Sequence, residues 1–118
     1  MSEYRLSLPL PPSANVYWRW TKTGVYVSAK AKHYKEMIYW LAKEAQIGEP
    51  LTGAVAVTIT VYRPQRRGDL DNRLKVLIDA LRGIAYEDDS QIVELHAYQK
   101  EAPNNGSVEV EVKQVNYG

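Results

Sequence analysis

The chain predicts an α+β fold, a single compact domain over residues 1–118 with a mixed β-sheet and two main helices. Three observations point there. Residues 54–62 alternate without a break, with Val55, Val57, Ile59 and Val61 on one side and Ala56, Thr58, Thr60 and Tyr62 on the other, which is the period of a strand. Two longer stretches, about 29–47 and 71–83, repeat their apolar residues at helical spacing instead. At 118 residues there is chain enough for one core and not for two.

The elements follow in order. Residues 3–8 set Tyr4, Leu6 and Leu8 against Arg5 and Ser7, so a half-buried strand opens the fold. Pro9, Pro11 and Pro12 end it, because proline has no N–H for a ladder. Short strands at 16–20 and 25–28 flank the turn Thr21-Lys22-Thr23-Gly24. Ser28 is placed to cap the first helix, whose stripe is Tyr34, Met37, Ile38, Leu41 and Ala45 and whose stop is Gly48 and Pro50. After the strand at 54–62, Pro64 breaks the ladder. The second helix carries Leu74, Leu77, Ile78 and Leu81 and stops at Gly83. Residues 91–100 and 107–115 are predicted to pair as a final hairpin, since Asn105-Gly106 in their connection is a strong turn signal.

Composition excludes several classes. Hydrophobic residues at 45% and charged residues at 25% are ordinary for a globular domain. The chain has no cysteine, hence no disulfide, thiol nucleophile or cysteine metal site, which fits a reducing compartment. The run Leu6 to Pro12 is too short and too proline-rich for a signal peptide or a membrane span, so a cytoplasmic protein without membrane association is expected. Lys+Arg and Asp+Glu nearly balance at 15 and 14, so local distribution matters more than the sum. Basic residues gather at Arg63, Arg66, Arg67, Arg73 and Lys75, and again at Lys30, Lys32, His33 and Lys35. Nine Tyr and three Trp occur with no Phe. Most are expected in the core and its margins; stacking on bases is the functional alternative.

The chemistry concentrates in one region. Asp69-Leu70-Asp71-Asn72 and Asp88-Asp89 are separated by Lys75, and the arginines precede them. Hard cations such as Mg²⁺ take oxygen ligands, usually one or two carboxylates with water and substrate phosphate. A lysine alongside adds positive charge where phosphate charge develops. Two residues apart, Asp69 and Asp71 face one side in extended chain but diverge by about 200° on a helix, so their convergence requires 69–71 to be extended. Each residue has a plainer reading. Asp69 or Asp71 can cap the helix, Asp88-Asp89-Ser90 can be a polar turn, and Lys75 can pair with Asp79. His33 and His96 lack ligand spacing, and no phosphate-binding glycine loop is present.

These residues bear a family likeness. Arg66-Arg67-Gly68-Asp69-Leu70-Asp71-Asn72, then Lys75, Asp79-Ala80-Leu81 and Asp88-Asp89-Ser90-Gln91, resembles the RusA family of Holliday junction resolvases. Leu8-Pro9-Leu10-Pro11-Pro12-Ser13-Ala14-Asn15 and Val27-Ser28-Ala29 with Tyr34 extend the resemblance across most of the chain. It implies a Mg²⁺-dependent endodeoxyribonuclease that acts as a homodimer on branched, four-way DNA. The implied catalytic set is Asp69, Asp71, Lys75 and Asp89, with Asp69, Asp71 and Asp89 holding metal and Asp88 competing for the third position. Arg66, Arg67 and Arg73 are expected to hold DNA phosphates, which gives affinity without sequence information. Two other readings stand beside it: a non-catalytic DNA-binding module, and a metal-dependent nuclease or phosphatase indifferent to junctions.

Overall fold

The structure is a computed structural model that describes residues 3–11, 18–21, 24–63, 70–102 and 106–116, without the side chains of 18–21, 25–27, 71 and 72. It bears out the α+β class. In chain order the elements are β1 (Glu3–Leu8), β2 (Trp18–Thr21), β3 (Gly24–Val27), α1 (Ala29–Glu44), β4 (Val55–Arg63), α2 (Leu70–Leu81), β5 (Ile92–Glu101) and β6 (Ser107–Gln114), with a 3₁₀ turn at Asp89–Gln91. The main sheet has the order β1-β6-β4-β5, and β2 and β3 pair apart from it.

β4 organises the core. Its odd residues from Val55 to Val61 have no exposed surface, while its even residues are half-buried on the opposite, open face. Leu6 and Leu8 of β1 and Val108, Val110 and Val112 of β6 join the same buried layer. The helices close it with Tyr34, Ile38 and Ala42 from α1 and Leu77, Ala80 and Leu81 from α2.

The predicted last hairpin does not form. β4 lies between β5 and β6, parallel to β5 and antiparallel to β6. A strand that buries one whole face at the centre of a sheet needs a neighbour on each side, and that demand overrides the local turn signal. The turn residues 103–105 lie outside the described residues. At Gly106 the chain passes close over the end of β4: a Cβ there would stand 2.6 Å from Leu10 Cδ1 and 2.8 Å from the Tyr62 carbonyl oxygen, and φ is +92°. Only glycine suits that backbone and that space.

The helices are also shorter than predicted. Ser28 caps α1 through its hydroxyl, which accepts the Ala31 N–H at 3.1 Å. α1 ends at Glu44 because Gln46 turns left-handed with φ 61°, letting the Ile47 N–H reach the Ala42 carbonyl at 2.9 Å. Ala45, expected in the buried stripe, is exposed as a result, and Ala31 and Ala42 take the inner positions. In α2 the helix already includes Leu70 and Asp71. The extended segment that would have turned Asp69 and Asp71 to one side therefore does not exist at 70–71.

The proline run has a structural role that its sequence did not announce. Tyr34 donates to the Pro9 carbonyl at 2.8 Å and Arg73 Nη1 to the Pro11 carbonyl at 3.2 Å. Lacking ladder N–H groups, this segment is held through its carbonyls, one from each helix. No helix among the described residues is long and apolar enough to cross a membrane.

Candidate active site

β4, α2 and β5 form a strand–helix–strand crossover, because parallel neighbours need a connection that returns to the starting edge. α2 begins beyond the Arg63 end of β4. β5 begins beside Val55, at the opposite end. The two acidic groups thus occupy the two ends of α2: Asp71 in its first turn, and Asp88-Asp89 in the segment after its last. Asp71 and Asp79 alone are separated by about 12 Å of helix rise. Asp69, Arg66 and Arg67 lie outside the described residues, as does the side chain of Asp71.

The start of α2 is an electropositive place. Arg63 falls on the buried face of β4, only 6% exposed, and its Nη1 has no hydrogen-bond partner among the described residues. Arg73, one turn into α2, lies close enough that the Arg63 charge, after burial, lowers its pKa. Two neighbouring guanidinium groups, one of them in the first turns of α2, add to the positive end of its dipole and favour negative charge there. Part of Arg73 is already committed to the Pro11 carbonyl, so it is a tie between elements as well as a candidate phosphate contact.

Further along α2, Lys75 is exposed. Asp79 is engaged by Lys35 of α1 at 3.2 Å and by Arg82 at 3.8 Å, and so ties the helices together. The simple i, i+4 pairing expected for Asp79 is thus replaced by a contact between helices.

At the other end the chain builds a rigid turn. Tyr86 is fully buried and donates to the Ile78 carbonyl at 2.6 Å. Burial raises its phenol pKa, and the negative charges of Asp89 and Asp79 raise it further. Asp88 caps the 3₁₀ turn: its Oδ2 accepts the Ser90 N–H at 3.2 Å and also the Ser90 hydroxyl. Those bonds from Ser90 hold the Asp88 carboxyl below the usual carboxylate range.

Gln91 completes the turn, and sequence reasoning assigned it no role. Its Oε1 accepts the N–H groups of Glu87 at 2.8 Å and Asp88 at 2.7 Å, while its Nε2 donates to the Leu51 and Gly53 carbonyls at 2.8 and 2.9 Å. One amide therefore locks the acidic turn to the loop that enters β4. The spacing Asp88-x-x-Gln91 is that of a capping box, and was the available signal. Asp89, next to the cap, is exposed. The described residues contain no cluster of three or more Asp, Glu, His or Cys side chains able to hold a metal.

The other candidates disperse. His33 sits on α1 and His96 on β5, 3.9 Å from Glu94, and both are exposed. Of the aromatic residues, Tyr34 and Tyr86 are core, whereas Tyr39 and Trp40 stand exposed edge to face, with Lys43 over the Tyr39 ring.

Comparison with known proteins places this arrangement. Residues 9–113 match the family model described as endodeoxyribonuclease RusA. The protein named crossover junction endodeoxyribonuclease RusA in Escherichia coli (strain K12) is 31% identical over 117 residues, covering 98% of either chain. The protein of that name in Shigella sonnei is 30% identical over the same coverage, and the one in Enterobacteria phage 82 is 29% identical.

Proposed function

The chain belongs to the RusA family of endodeoxyribonucleases, which hydrolyse DNA phosphodiester bonds, and from that premise we propose a Mg²⁺-dependent homodimer that resolves four-way DNA junctions by paired, symmetric nicks. It would act on DNA in the cytoplasm, in recombination and repair.

The observation that carries the reading is the division of labour at the acidic turn. Asp88 spends its carboxylate on Ser90 as a cap, and Gln91 fixes the turn from behind, leaving the exposed Asp89 as the better candidate ligand. With Asp69 and Asp71 the donor set is all carboxylate, the chemistry a hard divalent cation prefers. When bound, such a cation would supply a lower pKa for water and positive charge for the phosphoryl oxygens. Asp69, Asp71 and Asp89 would hold it. Lys75, exposed one turn beyond Asp71, would add charge beside the scissile phosphate. Arg66, Arg67 and Arg73 would hold flanking phosphates.

The fold also favours two copies. Ligands of one Mg²⁺ lie about 2.0–2.1 Å from it, whereas Asp71 and Asp89 belong to opposite ends of α2 in one protomer. A set containing both is completed by Asp89 from a second copy. Two-fold symmetry then yields two equivalent sites, as paired nicks require.

Asp69→Asn tests the reading. It should abolish cleavage in Mg²⁺ while junction binding in Ca²⁺ persists. Unchanged cleavage would sink the catalytic assignment and favour a DNA-binding module.

A further inference from the structure

Two apolar stripes end in the same way at the same place. The buried face of β4 runs Val55, Val57, Ile59 and Val61, none with exposed surface, and its next position is Arg63. The inner stripe of α2 carries Val76, Leu77, Ala80 and Leu81, all buried. One turn earlier on that stripe stands Arg73, half-buried. Each element thus has an arginine where its own pattern calls for a valine or a leucine. The two lie near enough for the Arg63 charge to be felt at Arg73. Burying a cation is costly unless an anion faces it. Among the described residues neither guanidinium forms an ion pair, Arg63 Nη1 has no hydrogen-bond partner, and Arg73 donates to the neutral Pro11 carbonyl. Glu101, beside Arg63 in the β4–β5 register, is exposed where Arg63 is 6% exposed.

We infer that Arg63 and Arg73 together form the seat of one DNA backbone phosphate, which supplies the anion that the fold leaves out. The inference rests on the nuclease reading above and adds the buried Arg63 to its DNA contacts. A guanidinium presents five donors in a planar fork that matches phosphate oxygens two at a time. Arg73 is the outer contact. Arg63 lies behind it, and its Nη1 comes within reach as Arg73 moves from the Pro11 carbonyl onto the phosphate. Both stand at the N-terminal end of α2, a 12-residue helix whose dipole adds positive potential there. Positions 71 and 73 are about 200° apart around a helix, so the seated phosphate is a neighbour of the scissile one. Arg63 is therefore a positioning residue that touches no reacting atom. By gripping β4 and α2 at once, the phosphate ties the strand end to the helix turn that carries Asp71.

Binding of a synthetic four-way junction in Ca²⁺, measured against salt concentration, tests the seat without cleavage. Each phosphate neutralised contributes about 0.9 to the slope of log affinity against log salt. Arg63→Met places an unbranched apolar side chain at the end of an apolar stripe. It should lower affinity about tenfold or more and make the slope shallower by about 0.9. The free protein should melt at the same temperature or higher, because an unpaired buried charge has gone. Arg73→Leu should change binding in the same way. The double variant should also lose about 0.9 rather than about 1.8, since both arginines hold one anion. Arg63→Lys keeps the charge without the fork and should recover part of the affinity. Unchanged affinity and slope in either single variant, or a double variant that loses two phosphates' worth, would overturn the seat. So would a lower melting temperature in Arg63→Met, matched by Glu101→Gln, with binding unchanged; Arg63 would then be an internal tie to β5. A chain that binds with the expected pattern in Ca²⁺ but does not cut the junction in Mg²⁺ would sink the activity reading and leave the seat standing.

Discussion

Asp88 and Gln91 cap each other across one turn: the Asp88 N–H donates to Gln91 Oε1 at 2.7 Å while the Asp88 carboxylate accepts from the Ser90 N–H inside the turn. The consequence is that two adjacent aspartates have unlike jobs. Asp88 builds the turn and Asp89 is presented by it.

Exchanging these carboxylates should therefore separate stability from activity. Asp88→Ser keeps a capping oxygen and should retain most cleavage, with a stability loss of about 1 kcal/mol or less. Asp89→Asn should leave the melting temperature within a degree or two and abolish cleavage. The reverse pattern would make Asp88 the ligand.

Gln91→Ala removes a side chain bonded to four backbone groups. A stability loss of about 1–3 kcal/mol is expected, together with a higher Mg²⁺ concentration for half-maximal cleavage, because the turn that presents Asp89 loosens. A lowered melting temperature with an unchanged Mg²⁺ requirement would reduce Gln91 to a purely structural role.

Mixing inactive variants tests whether the acids are shared between protomers. If Asp71 and Asp89 of one site come from different chains, a heterodimer of Asp71→Asn with Asp89→Asn carries both lesions in one site and leaves the other intact. Single-strand nicking should reappear on mixing. Continued inactivity, with heterodimers confirmed by mass, would place both residues in the same protomer's site.

Alkaline stability follows from Tyr34 and Tyr86. Burial raises both phenol pKa values, whereas an unfolded chain ionises its tyrosines near pH 10. Above about pH 10 the unfolded state binds fewer protons, so stability is intact below that pH and falls as pH rises, by up to about 1.4 kcal/mol per unit for each phenol. Urea midpoints at pH 9 and 11 should show the fall, and Tyr34→Phe should flatten it. An equally steep fall in the phenylalanine variant would contradict the assignment.

Much of the fold was legible because it is periodic. The alternation in β4 and β1 placed their buried residues correctly, and Ser28 marked the start of α1. Strand partnership was not legible: Asn105-Gly106 is a local signal, while the need of β4 for two neighbours is a property of the assembled sheet. The helix end at Glu44 escaped for a similar reason, since a left-handed glutamine at 46 leaves less trace than a glycine. In the site, the acids and Lys75 stood out by residue type. The separation of the acids by the length of α2 did not, because it depends on β5 running parallel to β4. Arg63 was readable in retrospect, its odd number placing it on the buried face.

The close passage at Gly106 is a stringent test of that sheet order. Gly106→Ala should lower stability by about 2 kcal/mol or more, from a strained φ and a clash with Leu10 and Tyr62. A neutral substitution would mean the chain does not cross the end of β4 there.

Cleavage of a synthetic four-way junction, compared with linear duplex of the same sequence in Mg²⁺ and in EDTA, separates a metal-dependent junction resolvase from every alternative. Paired symmetric nicks in the junction alone, absent in EDTA, are the predicted result. Equal cutting of both substrates, or cutting that survives EDTA, would contradict it.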